Sequence, residues 1–195
     1  MDNFKLLKTG LSVQGLLSAI ERQPHLWGEI TERQTVPGSP HKYTEAIFIR
    51  WCETRTIAAA FTEIPAIDYP ARENLPEVDE LIFEAFNTAK ANTLGRVLIA
   101  KLAPGGNITP HADEGDVADY YERFHIPLCS EPGNVFHAGD PDRSFEGVHM
   151  KPGELWWFNH KKQHWLFNGS DKPRIHLIID AVAPCYRRER HEISN

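Results

Sequence analysis

The chain has 195 residues, 41% of them apolar and 25% charged, a balance that suits one globular domain with a sizeable core and excludes a disordered tract. A formal net charge of −6 argues against non-specific nucleic-acid binding, which needs a cationic surface. No apolar run is long enough to cross a bilayer, and the opening MDNFKLLKTG lacks a secretory apolar region, so a cytoplasmic location without a membrane partner is expected.

In chain order, residues 12–22 (SVQGLLSAIER) pattern as a short amphipathic helix, with Ser12 as N-cap and Pro24 beyond its end. Residues 46–51 (AIFIRW) read as a strand. Residues 76–91 (PEVDELIFEAFNTAKA) read as a helix: Pro76 suits its first turn, and Val78, Leu81, Ile82, Ala85, Phe86 and Ala89 mark one face. After residue 95, short β-rich runs alternate with Gly, Pro, Asn and Asp turns: RVLIAKL, ITPHAD, RFHIPLC, VFHAG, VHM, ELWWFN and RIHLIIDAV. Many short strands with frequent turns predict a closed or two-layered antiparallel β fold. The expected architecture is a single domain, mainly β with supporting helices. Residues 1–95 form a helical and strand support, and 96–184 a double-stranded β-helix (jelly roll, cupin-like) core. Residues 185–195 form a solvated polar tail carrying Arg187, Arg188 and Arg190. Cys52, Cys129 and Cys185 include no CxxC and read as ordinary buried thiols of a reducing compartment.

Ten histidines direct attention to metal chemistry. Residues i and i+2 of a strand share a face, so His111 and Asp113 present an imidazole and a carboxylate side by side. Pro110 and the APGG turn place this pair near a strand end. One distant histidine would complete a two-His, one-carboxylate facial triad, which leaves three positions of a non-haem Fe(II) open for co-substrate and O2. His160, His164 and His176 are the candidates. His164 follows the strand ELWWFN, whereas His160 lies in a polar turn and is expected at the surface. Arg174 opens the last apolar strand on the face shared with His176 and Ile178, where a guanidinium can pair bidentately with the carboxylate of a diacid.

From about Arg96 to Val182 the chain resembles the aspartyl/asparaginyl β-hydroxylase-like branch of the Fe(II)- and 2-oxoglutarate-dependent oxygenases. The resemblance rests on PHAD (110–113), RFHIPL (123–128), KPGELWWFNHKKQHWLFNGSD (151–171) and PRIHLIIDAV (173–182). The stretch LWGEITERQTVPGSPHKYTEAIFIRW (26–51) resembles the amino-terminal region of small bacterial and phage members. The resemblance implies that His111 and His164 are the two histidine ligands of Fe(II), that Arg174 pairs with the distal carboxylate of 2-oxoglutarate, and that His125 helps to hold this co-substrate. It places Arg123 near the active site. Aspartyl β-hydroxylases proper carry Gly where Asp113 stands; this chain keeps the full triad, as proline hydroxylases of the same branch do. The implied reaction is hydroxylation of a C–H bond of an amino acid, or of an amino-acid side chain in a peptide, with O2 as oxidant. It calls for no catalytic side chain beyond the metal centre.

Arg123, His176 and Trp157 are candidate substrate contacts, Arg123 as an anion clamp. Trp156 and Trp157 face opposite sides of their strand, one toward the barrel and one toward the helical layer. The acidic segment 113–123 is expected as an exposed loop that orders over the site. Arg33, His41, Arg50 and Arg55 read as surface charges, and no partner is named for His137 or His149. The alternatives are a non-redox cupin-like protein that binds a metal or small molecule, and an interaction module with a degenerate site. The substrate's identity and the oligomeric state are left open.

Overall fold

The computed structural model describes residues 3–186; the expected basic strip at Arg187, Arg188 and Arg190 lies outside the described residues. The chain runs β1 (Phe4–Lys8), α1 (Gln14–Glu21), a 3-10 turn (Pro24–Leu26), α2 (Glu32–Thr35), β2 (Thr44–Trp51), α3 (Ala59–Thr62), β3 (Ile67–Asp68), α4 (Ala71–Asn74) and α5 (Val78–Thr88). There follow β4 (Thr93–Leu102), β5 (Asn107–His111), α6 (Asp116–Tyr120), β6 (Glu122–Cys129), β7 (Asn134–Asp140), β8 (Ser144–Val148), β9 (Leu155–Phe158), β10 (His164–Asn168) and β11 (Arg174–Val182).

The strands form a seven-stranded sheet, β1-β9-β6-β11-β4-β2-β3, and a four-stranded sheet, β5-β10-β7-β8. Strands β4 to β11 alternate between the two layers, apart from the β7–β8 hairpin within the small sheet, and make a jelly roll. The amino-terminal region does more than support this roll: β1 pairs with β9 at one edge, and β2 and β3 extend the other. A five-residue strand such as FKLLK has too little pattern to declare itself without its partner.

Alternation along the large sheet sorts its residues into two layers. Ile47, Ile49, Val97, Ile99, Phe124, Ile126, Leu155, Trp157, Ile175, Leu177 and Ile179 face outward and pack under α1 and α5 through Leu16, Ile20, Leu81 and Ile82. The opposite face turns toward the small sheet, where Leu102, Trp156 and Phe158 meet Phe136, Ala138, Val148 and Leu166. The two adjacent tryptophans therefore do face opposite sides.

Local differences from the sequence reading have simple causes. Ser12 is not the N-cap of α1; Val13 holds that position without a side-chain bond. The helix of 76–91 starts at Val78, with Pro76 just before its cap Glu77. The three cysteines are free, but only Cys52 is buried, Cys185 being exposed. Among the described residues no helix is long and apolar enough to cross a membrane.

Truncating Phe124, 1% exposed between sheet and helices, is expected to cost about 3–5 kcal/mol. Phe83→Ala, at a side chain 64% exposed, should stay within about 0.5 kcal/mol of the parent. Urea unfolding checks both, as a lowered midpoint at unchanged slope for Phe124→Ala alone.

Candidate metal centre

His111 closes β5, His164 opens β10, and the antiparallel register sets the two residues opposite each other. Their ring centroids lie 4.3 Å apart. Asp113 stands two residues past the strand end, where its N–H donates to the His160 carbonyl at 3.0 Å. One donor atom from each of His111, Asp113 and His164 lies within 4.8 Å of the others.

The rings are oriented from behind. His111 Nδ1 bonds the Thr109 carbonyl at 2.8 Å and His164 Nδ1 the Lys162 carbonyl at 3.0 Å. A carbonyl only accepts, so Nδ1 carries the proton in each ring and Nε2 keeps its lone pair for a metal. His111 Nε2 is buried without a hydrogen-bond partner. Burial lowers the His164 ring to about 4 and holds His111 below its ordinary 6.5, so both are neutral at pH 7, as ligation requires. Two imidazole nitrogens and one carboxylate oxygen on one side of an open cleft fit a non-haem Fe(II).

Asp113 is held by charge. Its Oδ2 accepts from Arg123 Nη1, while Oδ1 lies 3.9 Å from His111 Nε2. Burial pushes this carboxyl up, and the Arg123 guanidinium chiefly reverses the effect, leaving it well below the usual carboxylate range. Arg123 also forks onto the buried Asp180, with Nε–Oδ1 at 2.8 Å and Nη2–Oδ2 at 3.0 Å. The register explains the fork, since Arg123 on β6 sits directly across from Asp180 on β11. Arg123 thus commits Nε, Nη1 and Nη2 to two carboxylates and positions Asp113, while it lines both cavities of the site.

Arg174 opens β11 on the inward face, 4% exposed. Its Nη2 donates to His176 Nδ1 at 2.9 Å, and the guanidinium carbon lies 5.5 Å over the Phe136 ring. His125 Nδ1 lies 3.3 Å from the same His176 nitrogen. An arginine never accepts, so His176 Nδ1 is the acceptor of both contacts, and His125 Nε2 is left buried and unpartnered. Among the described residues no carboxylate pairs with Arg174. Burial lowers it to about 9, still cationic at neutral pH.

Two cavities meet at this centre. The smaller, about 50 Å³, runs inward past His125, Phe136 and His164 to Arg174. The larger, about 380 Å³, opens between α3, α6 and the 30–41 segment. Arg33, His41, His111, Asp113 and Arg123 line both.

Several expectations are corrected here. Trp157 is not a substrate contact: it is 2% exposed in the outer core, where Nε1 donates to Glu122. His176 sits behind Arg174 and lines neither cavity. His160 is 1% exposed rather than superficial, its Nε2 bonded to the Ala118 carbonyl at 2.9 Å. The 113–123 segment is no open loop; α6 anchors it through buried Val117 and Ala118, and Glu122 is buried. Gly115 permits that turn, with φ +89° and a position where a Cβ would meet the Phe61 carbonyl at 2.7 Å. Arg33 and His41, read as surface charges, line the cavities, and His41 stands edge-on to His111 at 5.1 Å. The signal for them lay in the 26–51 stretch, whose family likeness carried no assigned role. Arg50 pairs with Asp68, and Arg55 lies over Tyr69. His137 finds a partner in Trp165, stacked at 5.3 Å.

The profile of the family described as aspartyl/asparaginyl β-hydroxylase matches residues 42–184. An L-proline cis-4-hydroxylase of Rhizobium meliloti (strain 1021) is 27% identical over 122 residues, 63% of this chain and 41% of that protein; the match thus spans under half of that relative's length. The fold resembles that of a Pseudomonas putida prolyl-4-hydroxylase, with TM-score 0.54 and 13% identity over 92% of each chain. It also resembles a Trichoplax adhaerens prolyl hydroxylase solved with a hypoxia inducible factor peptide fragment. That TM-score is 0.58, at 13% identity over 98% of this chain and 87% of that one.

Arg123→Met should weaken metal binding about 10- to 100-fold, the usual effect of removing a group that orients a ligand; Fe(II) or Mn(II) titration reads it. Stability should also fall in acid. His160, lowered to about 4 chiefly by burial, binds its proton more readily unfolded, near pH 6.5. Its contribution is complete above that pH and is lost as pH falls toward 4, at up to about 1.4 kcal/mol per unit. Urea unfolding between pH 6.5 and 4 should show this slope, reduced by about one proton in His160→Gln.

Proposed function

This chain belongs to the aspartyl/asparaginyl β-hydroxylase family, and from that premise we propose that it is an Fe(II)- and 2-oxoglutarate-dependent dioxygenase. It hydroxylates a C–H bond of an amino acid, or of an amino-acid side chain in a peptide. The observation that carries the reading is one cleft holding both requirements: a His111, Asp113 and His164 donor set within 4.8 Å, and a buried Arg174 cation with no carboxylate partner among the described residues. A barrel that only stored a metal would gain nothing from that cation, whose burial is costly unless an anion arrives.

The roles follow from the geometry. His111, Asp113 and His164 would hold the iron, His111 and His164 through the Nε2 that the backbone leaves free. Arg174 pairs with the distal carboxylate of 2-oxoglutarate, His176 steadies its fork from behind, and His125, which lines the inner cleft and bonds His176, helps to hold the co-substrate. With its co-substrates bound, the iron supplies a two-electron oxidation in which 2-oxoglutarate and O2 become succinate and CO2 as C–H becomes C–OH. The chain contributes orientation and the exclusion of water: Phe136 and Phe158 flank His125 and His164 at ring distances of 5.0–5.8 Å and keep the inner cleft apolar. The hydrogen abstraction calls for no protein acid or base.

Succinate formation from 2-oxoglutarate should require Fe(II) and vanish in His164→Ala. Arg174→Ala should raise the 2-oxoglutarate dissociation constant at least about thirtyfold, the loss of ~2 kcal/mol from a charge-assisted pair, and Arg174→Lys should recover only part. Unchanged 2-oxoglutarate affinity in Arg174→Ala would remove the basis for the assignment.

A further inference from the structure

The larger cavity differs in character from what a small polar substrate needs. Its walls are apolar and aromatic, with Ile57, Phe61, Phe48, Trp51 and Tyr69 among them. Its 380 Å³ correspond to roughly a dozen water volumes, more than the single ring of proline displaces. Four arginines reach it, and three are already engaged. Arg123 is held by Asp113 and Asp180. Arg96 donates to the Ala59, Ala60 and Glu63 carbonyls and lies over Trp51. Arg55, over Tyr69, is exposed to solvent and lines the larger cavity alone.

Arg33 is the remaining one. Among the described residues its guanidinium makes no ion pair with a carboxylate: it lies 6.0 Å over the Trp51 ring, and Asp113 and Asp180 act on it only from a distance. It lines both cavities and so stands at their junction with the metal centre. Burial, then Arg123 nearby, lowers it to about 10, still a full positive charge at neutral pH. Glu114 lines the same chamber and offers a carboxylate to an ammonium group.

We propose that the larger cavity is the substrate chamber, that Arg33 is the residue that binds the substrate carboxylate there, and that the substrate is an amino acid with an apolar side chain larger than proline. An aromatic or branched aliphatic side chain fills the apolar walls, the carboxylate pairs with Arg33, and the side chain is held beside the His111–Asp113 pair. The oxidation of that substrate rests on the dioxygenase assignment above; its binding does not.

The test is anaerobic calorimetric titration of the full chain loaded with Fe(II), preceded by a separate titration with 2-oxoglutarate that reads the dioxygenase assignment alone. L-Phenylalanine should bind at least about tenfold more tightly than phenylalaninamide, which lacks the carboxylate, and than L-proline, which lacks the bulk. Arg33→Met should abolish the preference for acid over amide, and Arg33→Lys should restore part of it. Ile57→Asp, at a side chain 41% exposed and so tolerated by the fold, should weaken phenylalanine at least about tenfold. Equal binding of acid and amide, tighter binding of proline, or an unaltered preference in Arg33→Met overturns the proposal. Failure of 2-oxoglutarate to bind while these preferences hold overturns the dioxygenase assignment and leaves the chamber assignment standing.

Discussion

A single guanidinium ties the two layers of this protein together at their mouth. Arg123 reaches from β6 of the large sheet to Asp180 on the neighbouring strand and to Asp113 beyond the end of β5 in the small sheet. Taking one cation and two carboxylates out of water costs several kcal/mol per ion. Such a cluster persists only because each charge is hydrogen-bonded and the fork geometry is matched by register. Its consequence is orientation: one oxygen of Asp113 is committed to Arg123, so the other points toward His111 and His164. The carboxylate stays ionised although burial opposes it.

The cations are distributed with the same economy. Two arginines near the centre are satisfied by the protein's own groups, Arg123 by carboxylates and Arg96 by backbone carbonyls. Arg174 and Arg33 have no such partner among the described residues, and they occupy different places: one deep in the inner cleft, one where the two cavities join. Arg174 is buried and Arg33 half-buried, and a cation with no carboxylate in direct contact is poised for an external anion. Two such cations flanking one cluster of metal-binding donors match a reaction that brings two anionic molecules to one centre.

The imidazoles show how burial selects a protonation state. His111, His125, His160, His164 and His176 are all held below the ordinary histidine range, with burial the largest cause in each. Neutral rings then divide their two nitrogens between a structural and a free role. In His111 and His164 the backbone claims Nδ1, and the lone pair at Nε2 faces the cleft. Between Arg174 and His125, the His176 ring is an acceptor at Nδ1 and helps to fix the guanidinium plane.

The linear sequence was enough to determine what depends on neighbours along the chain. Period-2 alternation in RIHLIIDAV separates Ile175, Leu177 and Ile179 from Arg174 and His176, and the structure keeps that division. The spacing of HAD, the turn after RVLIAKL and the face of α5 are equally local. Tertiary structure alone decided what depends on pairing between distant segments. Nothing in FKLLK announces an edge strand until β9 lies beside it. Nothing in a polar turn announces that His160 is buried until α6 supplies the Ala118 carbonyl. Arg33 and His41 look like ordinary surface charges in a loop, because what brings them to the cavities is the fold of the 30–41 segment over the mouth of a roll whose strands begin more than fifty residues away. Side-chain period is a property of one strand's geometry, whereas burial and ion pairing arise only when separate strands close around a common space.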